Sequence, residues 1–213
     1  MAAAACARGA QVSAVDAEPG MVALARRAAP EAEVTIGVLP DLPFAPETFD
    51  SAAANFVINH VGGPAEAVAA LRVVTRAGGR VAATIWCSPA GAGHELLGRA
   101  VAEAGAPTPA DLPRLAPADD FPRTAEGFAT LFKGAGLTDV TCTPVDWDHL
   151  ADPEEWWGGV EAGVGTIGQT VSRQEPGTIR RIKSAYDRLV PEYLGADGRL
   201  VLRYHALLAT GRA

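Results

Sequence analysis

Asp16 stands at the end of a short apolar run, Val12-Ser-Ala-Val15. Ala17-Glu18-Pro19-Gly20 follows, and then a helical stretch from Met21 to about Ala29. A carboxylate at the end of a buried strand is placed to grip a ribose, because one carboxylate accepts hydrogen bonds from both vicinal hydroxyls. Open α/β sheets bind ligands just outside the carboxyl ends of their strands. Asp, Pro and Gly are also ordinary helix-entry residues, so capping of the next helix is the competing role for Asp16. His60 follows the apolar run Ser51–Ile58. An imidazole titrates near neutrality and could take a proton from a substrate. A cap of the strand or loop is its more ordinary role. His94 is a second candidate base, and His149 and His205 read as structural or exposed. Trp86, Phe121, Trp156 and Trp157 could wall an apolar pocket, although neighbours on a helix face different ways, so at most one of Trp156 and Trp157 should line it. The carboxylates and histidines never fall at metal-ligand spacing, so no metal is expected.

The elements that must position these residues follow from the pattern. The 213 residues are 48% hydrophobic and 20% charged, a globular composition for one domain, 1–213. The net charge of −7 and the presence of only Lys133 and Lys183 as lysines argue against a nucleic-acid partner. Three scattered cysteines suggest neither a disulfide framework nor a zinc site. No apolar run approaches the roughly 20 residues that span a bilayer, and no secretion signal is read at the N-terminus. No membrane partner is expected, and a cytoplasmic location is the default.

Ala2–Arg8 reads as a helix ended by Gly9, leading into the strand Val12–Val15. Val34, Ile36 and Val38 alternate as a further strand. The prolines of 39–48 mark a loop, and Ser51–Ile58 is a near-continuous apolar strand of the kind buried on both faces. A helix over 65–75, a turn at Ala77-Gly78-Gly79 and a strand Arg80–Trp86 follow. Helices are expected from His94 to Ala104, from Thr124 to about Gly134, from Asp152, and from Thr178 to about Leu194. Strands are expected at Asp139–Trp147 and Leu200–Thr210. Segments 87–122 and 152–194 are read as helical insertions that cap a substrate.

Val12-Ser-Ala-Val-Asp16, Met21, Ala25, Leu42-Pro43-Phe44, Phe49-Asp50, Asn55, His60-Val61 and Arg76-Ala-Gly-Gly-Arg-Val81, with the tail Val201–Thr210, resemble class I S-adenosylmethionine-dependent methyltransferases. The nearest branch is the small-molecule enzymes related to ubiquinone and menaquinone biosynthesis. The resemblance implies an α/β Rossmann-like sheet, mostly parallel with the last strand antiparallel, and S-adenosyl-L-methionine as cofactor. It implies that Asp16 binds the ribose hydroxyls and that Ala17 and Met21 flank the adenosine. The Gly37–Leu39 turn, with Val38 and Leu39, borders the adenine, while Asn55 and Phe56 line the methionine side. Plainer roles stand beside these: core packing for Met21, turn filling for Leu39, and a backbone partner for Asn55. Trp86, His94 and Trp156 are the residues assigned to an acceptor pocket, with His60 as the candidate base. The partner implied is a small-molecule acceptor, and a homodimer is one possible assembly.

Two departures from the family pattern stand out. The family usually places an acid where Val38 stands, and Asp41 is the nearest substitute. An acidic ribose ligand lies about 20 residues after a glycine fingerprint, which would fall before Met1. The expectation is therefore a sheet whose central first strand is missing, through a start site assigned too late or a truncated paralogue. Such a loss would leave two rows of buried backbone groups without partners, at about 1–3 kcal/mol each. Two other readings remain: a methyltransferase-like remnant or partner subunit that binds no cofactor, and a nicotinamide-dependent oxidoreductase, which the lack of a Tyr-x-x-x-Lys pair disfavours.

Overall fold

The computed structural model describes residues 1–112 and 115–213. In chain order they form α1 (Ala2–Cys6), β1 (Ser13–Asp16), α2 (Pro19–Ala28), β2 (Glu33–Ile36), β3 (Phe49–Asn55), α3 (Pro64–Val74), β4 (Thr75–Trp86), α4 (Ala92–Glu103) and α5 (Ala125–Gly134). The order continues with β5 (Thr138–Ala151), α6 (Pro153–Glu161), α7 (Gly165–Ser172), α8 (Pro176–Leu189), a 3-10 turn (Val190–Tyr193) and β6 (Leu200–Arg212). Proline opens α2, α3, α6 and α8, where its missing N–H has no intrahelical partner to lose. Thr124 Oγ1 caps α5 by accepting from Gly127 N (3.1 Å), and Asp152 Oδ1 caps α6 through Glu154 N (2.8 Å) and Glu155 N (3.1 Å).

Strand–helix alternation in the first half gives parallel pairs, as crossover connections require. β1 pairs with β2, Asp16 opposite Ile36, and β3 pairs with β4, Asn55 opposite Thr84. The strands make two sheets, β1-β2 and β3-β4-β6-β5. β6 runs against β4, with Gly78 N bonded to Ala213 O at one end and Cys87 N to His205 O at the other. The mostly parallel sheet with an antiparallel last strand is the arrangement expected. The anticipated turn at Ala77-Gly78-Gly79 is instead an irregularity inside β4, since the register slips between Phe49↔Thr75 and Ser51↔Arg80.

Among the described residues no strand pairs with the second edge of β1 or of β3. Two expectations need correction here. β3 is not buried on both faces: only Ala54 is buried, and Ser51, Ala53 and Asn55 are exposed, because β3 is the edge strand of its sheet. The open edges are likewise not rows of buried orphans. The residues of β1 are half-buried and most of β3 is exposed, so water can take up the edge groups and the cost of burying them does not arise.

The chain divides into two compact units. The first comprises Met1–Ile85, Leu115–Thr143 and Leu208–Ala213, and the second Trp86–Arg114 and Pro144–Leu207. In the first, Val68 and Leu71 of α3, Val81 and Ile85 of β4, and Phe128 and Phe132 of α5 are buried. Phe121 stacks on Phe128 with ring centroids 6.0 Å apart, which makes it a core residue rather than a pocket wall. In the second, Leu96, Ile182, Tyr186, Leu200 and Leu202 are fully buried, and Tyr186 Oη donates to Pro153 O at 2.7 Å. Trp157 packs against Tyr186 at 5.3 Å. α7, which follows Gly163 and opens at Gly165, both with positive φ, had no counterpart in the sequence reading.

Phe128→Ala should cost about 3–5 kcal/mol in urea unfolding, as expected for emptying a fully buried ring site. Asp50→Ala, which removes a salt bridge to Arg76 between exposed side chains, should cost less than about 1 kcal/mol.

Candidate cofactor site and aromatic cluster

Asp16 is placed by the short β1-β2 pair and by the turn into α2. Its Oδ1 accepts from Glu18 N at 2.9 Å, a turn contact ahead of α2 rather than a helix cap, because the N-cap of α2 is Glu18 and carries no side-chain cap hydrogen bond; Oδ2 has no partner among the described residues. One oxygen thus shapes the turn and the other is unengaged among the described residues. Arg26 ties α2 to β2 by donating from Nε and Nη2 to Val34 O at 2.9 and 2.7 Å. Gly37 N donates to Asp16 O at 3.1 Å. A Cβ on Gly37 would lie 3.0 Å from Val15 Cγ1 and 3.2 Å from Pro43 Cδ, so glycine is what lets this turn pass against β1.

The flanking residues expected at this site are open rather than core. Met21 is 51% and Val38 54% exposed, Ala17 is exposed and Leu39 half-buried. The plain core role for Met21 is thereby excluded. Val38 presents no acid, and Asp41 is exposed without a polar partner among the described residues. The adenine amine therefore has no evident carboxylate at the expected position.

At the end of β3 the chain reverses. Phe56 has φ 55°, a left-handed backbone that is uncommon for an aromatic residue and costs on the order of 1–3 kcal/mol. Its N–H is shared between Thr84 O (3.1 Å) and Thr84 Oγ1 (3.0 Å), and the Thr84 hydroxyl donates to Asn55 Oδ1 at 2.9 Å. Asn55 is thus tied by its carbonyl to a side chain, not to a backbone group. Sequence reasoning passed over Thr84. The available signal was a hydroxyl two residues from the end of an otherwise apolar strand. His60 is exposed, with its backbone N–H given to Val57 O at 2.8 Å, in a turn after the strand.

In the second unit, Trp86, His94 and Trp156 are brought together around Tyr204. Ring centroids lie 5.2 Å from Tyr204 for Trp86, 5.9 Å for His94 and 6.5 Å for Trp156, with Trp147 stacked on it at 5.6 Å. Tyr204 is 5% exposed, whereas Trp86, Trp147 and Trp156 are half-buried and His94 is exposed. A Cβ on Gly93 would fall 2.3 Å from Tyr204 Oη and 2.7 Å from Trp156 Cζ2, so the start of α4 fits only with glycine there. Trp156 Nε1 and Trp157 Nε1 are buried without a partner among the described residues. His149 is exposed beside Trp156 (5.5 Å), and His205 Nδ1 meets Asp146 Oδ1 at 2.8 Å. Tyr204 was legible only as one of the inward positions Leu202, Tyr204 and Ala206. A depression of about 380 Å³ on α4 and α8, bordered by Glu103, Arg180, Arg181 and Arg188, includes none of the expected site residues. No group of three or more metal-ligating side chains occurs among the described residues, and no helix there is long and apolar enough to cross a membrane.

Burial pushes the Tyr204 phenol up to about 12. Its raised folded value contributes stability that is complete below the unfolded value of about 10 and is lost as pH rises towards 12. Tyr204→Phe should therefore flatten the decline in unfolding free energy between about pH 10 and pH 12, measured by urea titration at each pH.

Residues 1–83 match the family model Methyltransf_11, a methyltransferase domain. No curated protein matches the sequence. Among solved structures, the YcgJ protein of Bacillus subtilis is 14% identical, with a TM-score of 0.52 over 95% of this chain and 82% of that one. Phosphoethanolamine N-methyltransferase 2 of Haemonchus contortus, solved with S-adenosyl-L-methionine, is 15% identical, with a TM-score of 0.51 over 98% and 45%. The [4+2]-cyclase SpnF is 16% identical, with a TM-score of 0.50 over 95% and 66%. At these identities the likeness is one of fold, and a fold alone does not fix a reaction. Residues 1–83 thus match a methyltransferase domain model, on a chain whose fold is similar to those of these solved structures.

Proposed function

We propose that the protein transfers the methyl group of S-adenosyl-L-methionine to a small-molecule acceptor. The observation that carries this reading is the Asp16 carboxylate at the end of β1, half engaged by its own turn and half available, inside a matched methyltransferase domain. When bound, the donor supplies a sulfonium methyl whose carbon–sulfur bond breaks, with its electrons left on sulfur, as the acceptor's lone pair forms the new bond.

The chain's part in such a displacement is alignment and exclusion of water. Asp16 Oδ2 would hold the ribose hydroxyls, and Ala17 and Met21 would cover the adenosine. Val38 and Leu39 would border the adenine, with a backbone N–H for a ring nitrogen. The Asn55 amide and Phe56 would meet the methionine half. Trp86, His94 and Trp156 would wall the acceptor, and an apolar aromatic lining suits a small organic molecule. His60 would act only on acceptors that must lose a proton. The ribose and methionine halves would each meet polar groups in this arrangement, whereas the adenine amine would meet no acid at position 38.

The open edges of β1 and β3 favour a second reading, a methyltransferase-like chain that binds no donor. Calorimetric titration of S-adenosylhomocysteine into the full chain separates the two. The proposal expects binding, weakened in Asp16→Ala by about 10- to 100-fold, since each hydrogen bond to a charged group is worth about 1.5–3 kcal/mol. No heat of binding in a chain that is folded by circular dichroism would favour the non-binding reading.

A further inference from the structure

β4 alternates: Val81, Ala83 and Ile85 are buried, while Ala82, Thr84 and Trp86 are half-buried on its other face. The parallel register sets Thr84 beside Asn55, the last residue of β3. The Thr84 hydroxyl accepts the Phe56 N–H, which leaves its single hydrogen to be given to Asn55 Oδ1. In that contact the Asn55 amide oxygen faces β4 and its NH₂ is turned away, without a partner among the described residues. The same hydroxyl supplies one of the two acceptors that hold Phe56 in its left-handed backbone. One oxygen therefore sets both the direction of the amide and the reversal of the chain next to it.

The geometry points to Thr84 as a positioning residue for the methionine end of the donor, acting through Asn55 and Phe56. The inference rests on the methyl-donor reading above. Valine at this position keeps the shape and the β-propensity of threonine but frees the Asn55 carbonyl and removes the Thr84 hydroxyl as an acceptor of the Phe56 N–H. Serine keeps the hydroxyl. The effect should fall on ligands that reach the methionine side and spare those that carry only adenine and ribose.

The test is calorimetric titration of the full chain with S-adenosylhomocysteine and, separately, with adenosine, for wild type, Thr84→Val and Thr84→Ser. Thr84→Val should weaken S-adenosylhomocysteine by about 3- to 10-fold, the worth of one ordinary hydrogen bond. Adenosine should change less than about 2-fold, and Thr84→Ser should bind both ligands within about 2-fold of wild type. Should Thr84→Val fail to fold, Thr84→Ala removes the same hydroxyl without the added methyl and carries the same expectation. Wild-type affinity in the hydroxyl-less variant, equal loss of both ligands, or equal loss in Thr84→Ser would each overturn the inference while leaving the donor reading intact. Wild-type chain that binds neither ligand would overturn that reading and the inference with it.

Discussion

The parallel pairing of β3 with β4 is the constraint on which the strand-end chemistry depends. Small residues along β3 (Ala52, Ala53, Ala54) let the pair form with most of β3 exposed. Its register fixes which β4 side chain stands beside Asn55. A slip of one residue would turn Thr84 to the opposite face and put a buried apolar position in its place. The hydroxyl in turn makes the left-handed Phe56 tenable, and that residue ends the strand. Strand length, side-chain direction and backbone reversal at this end are thus one linked feature.

A similar economy holds at β1. Four residues pair with four, and the strand end is then fixed by short contacts: Arg26 on Val34 O, Gly37 against Val15, and Glu18 N on Asp16. None of these is strong by itself, and apart from the buried Val34 the residues concerned are half- to fully exposed. The arrangement defines where the Asp16 carboxylate points without burying it. A half-exposed carboxylate is open to solvent, which lowers the cost of holding a charge at the strand end.

Much of this was legible in the sequence. The place of Asp16 at a strand end was readable because an apolar run stops at an acid before Pro and Gly, although the same residues also suit helix entry. The antiparallel last strand followed from the family resemblance. The pairing of Trp86, His94 and Trp156 was named without a geometry, and the structure gathers them around Tyr204. What escaped was set by tertiary context. The composition of Ser51–Ile58 suits a central strand as well as an edge strand, and only sheet order distinguishes the two. The hydroxyl of Thr84 near its strand end was visible, but its two partners were not, because they lie 28 and 29 residues away. Phe121 reads alike as pocket wall or core, and its stacking on Phe128 decides for core.

The central claim is that the ends of β1, β2 and β3 form a donor site. Hydrogen–deuterium exchange on the full chain, with and without S-adenosylhomocysteine, tests it most directly. The account predicts that the ligand slows exchange at residues 14–21, 37–39 and 55–57. Exchange unchanged in those three segments, or slowed only within residues 144–207, would contradict it.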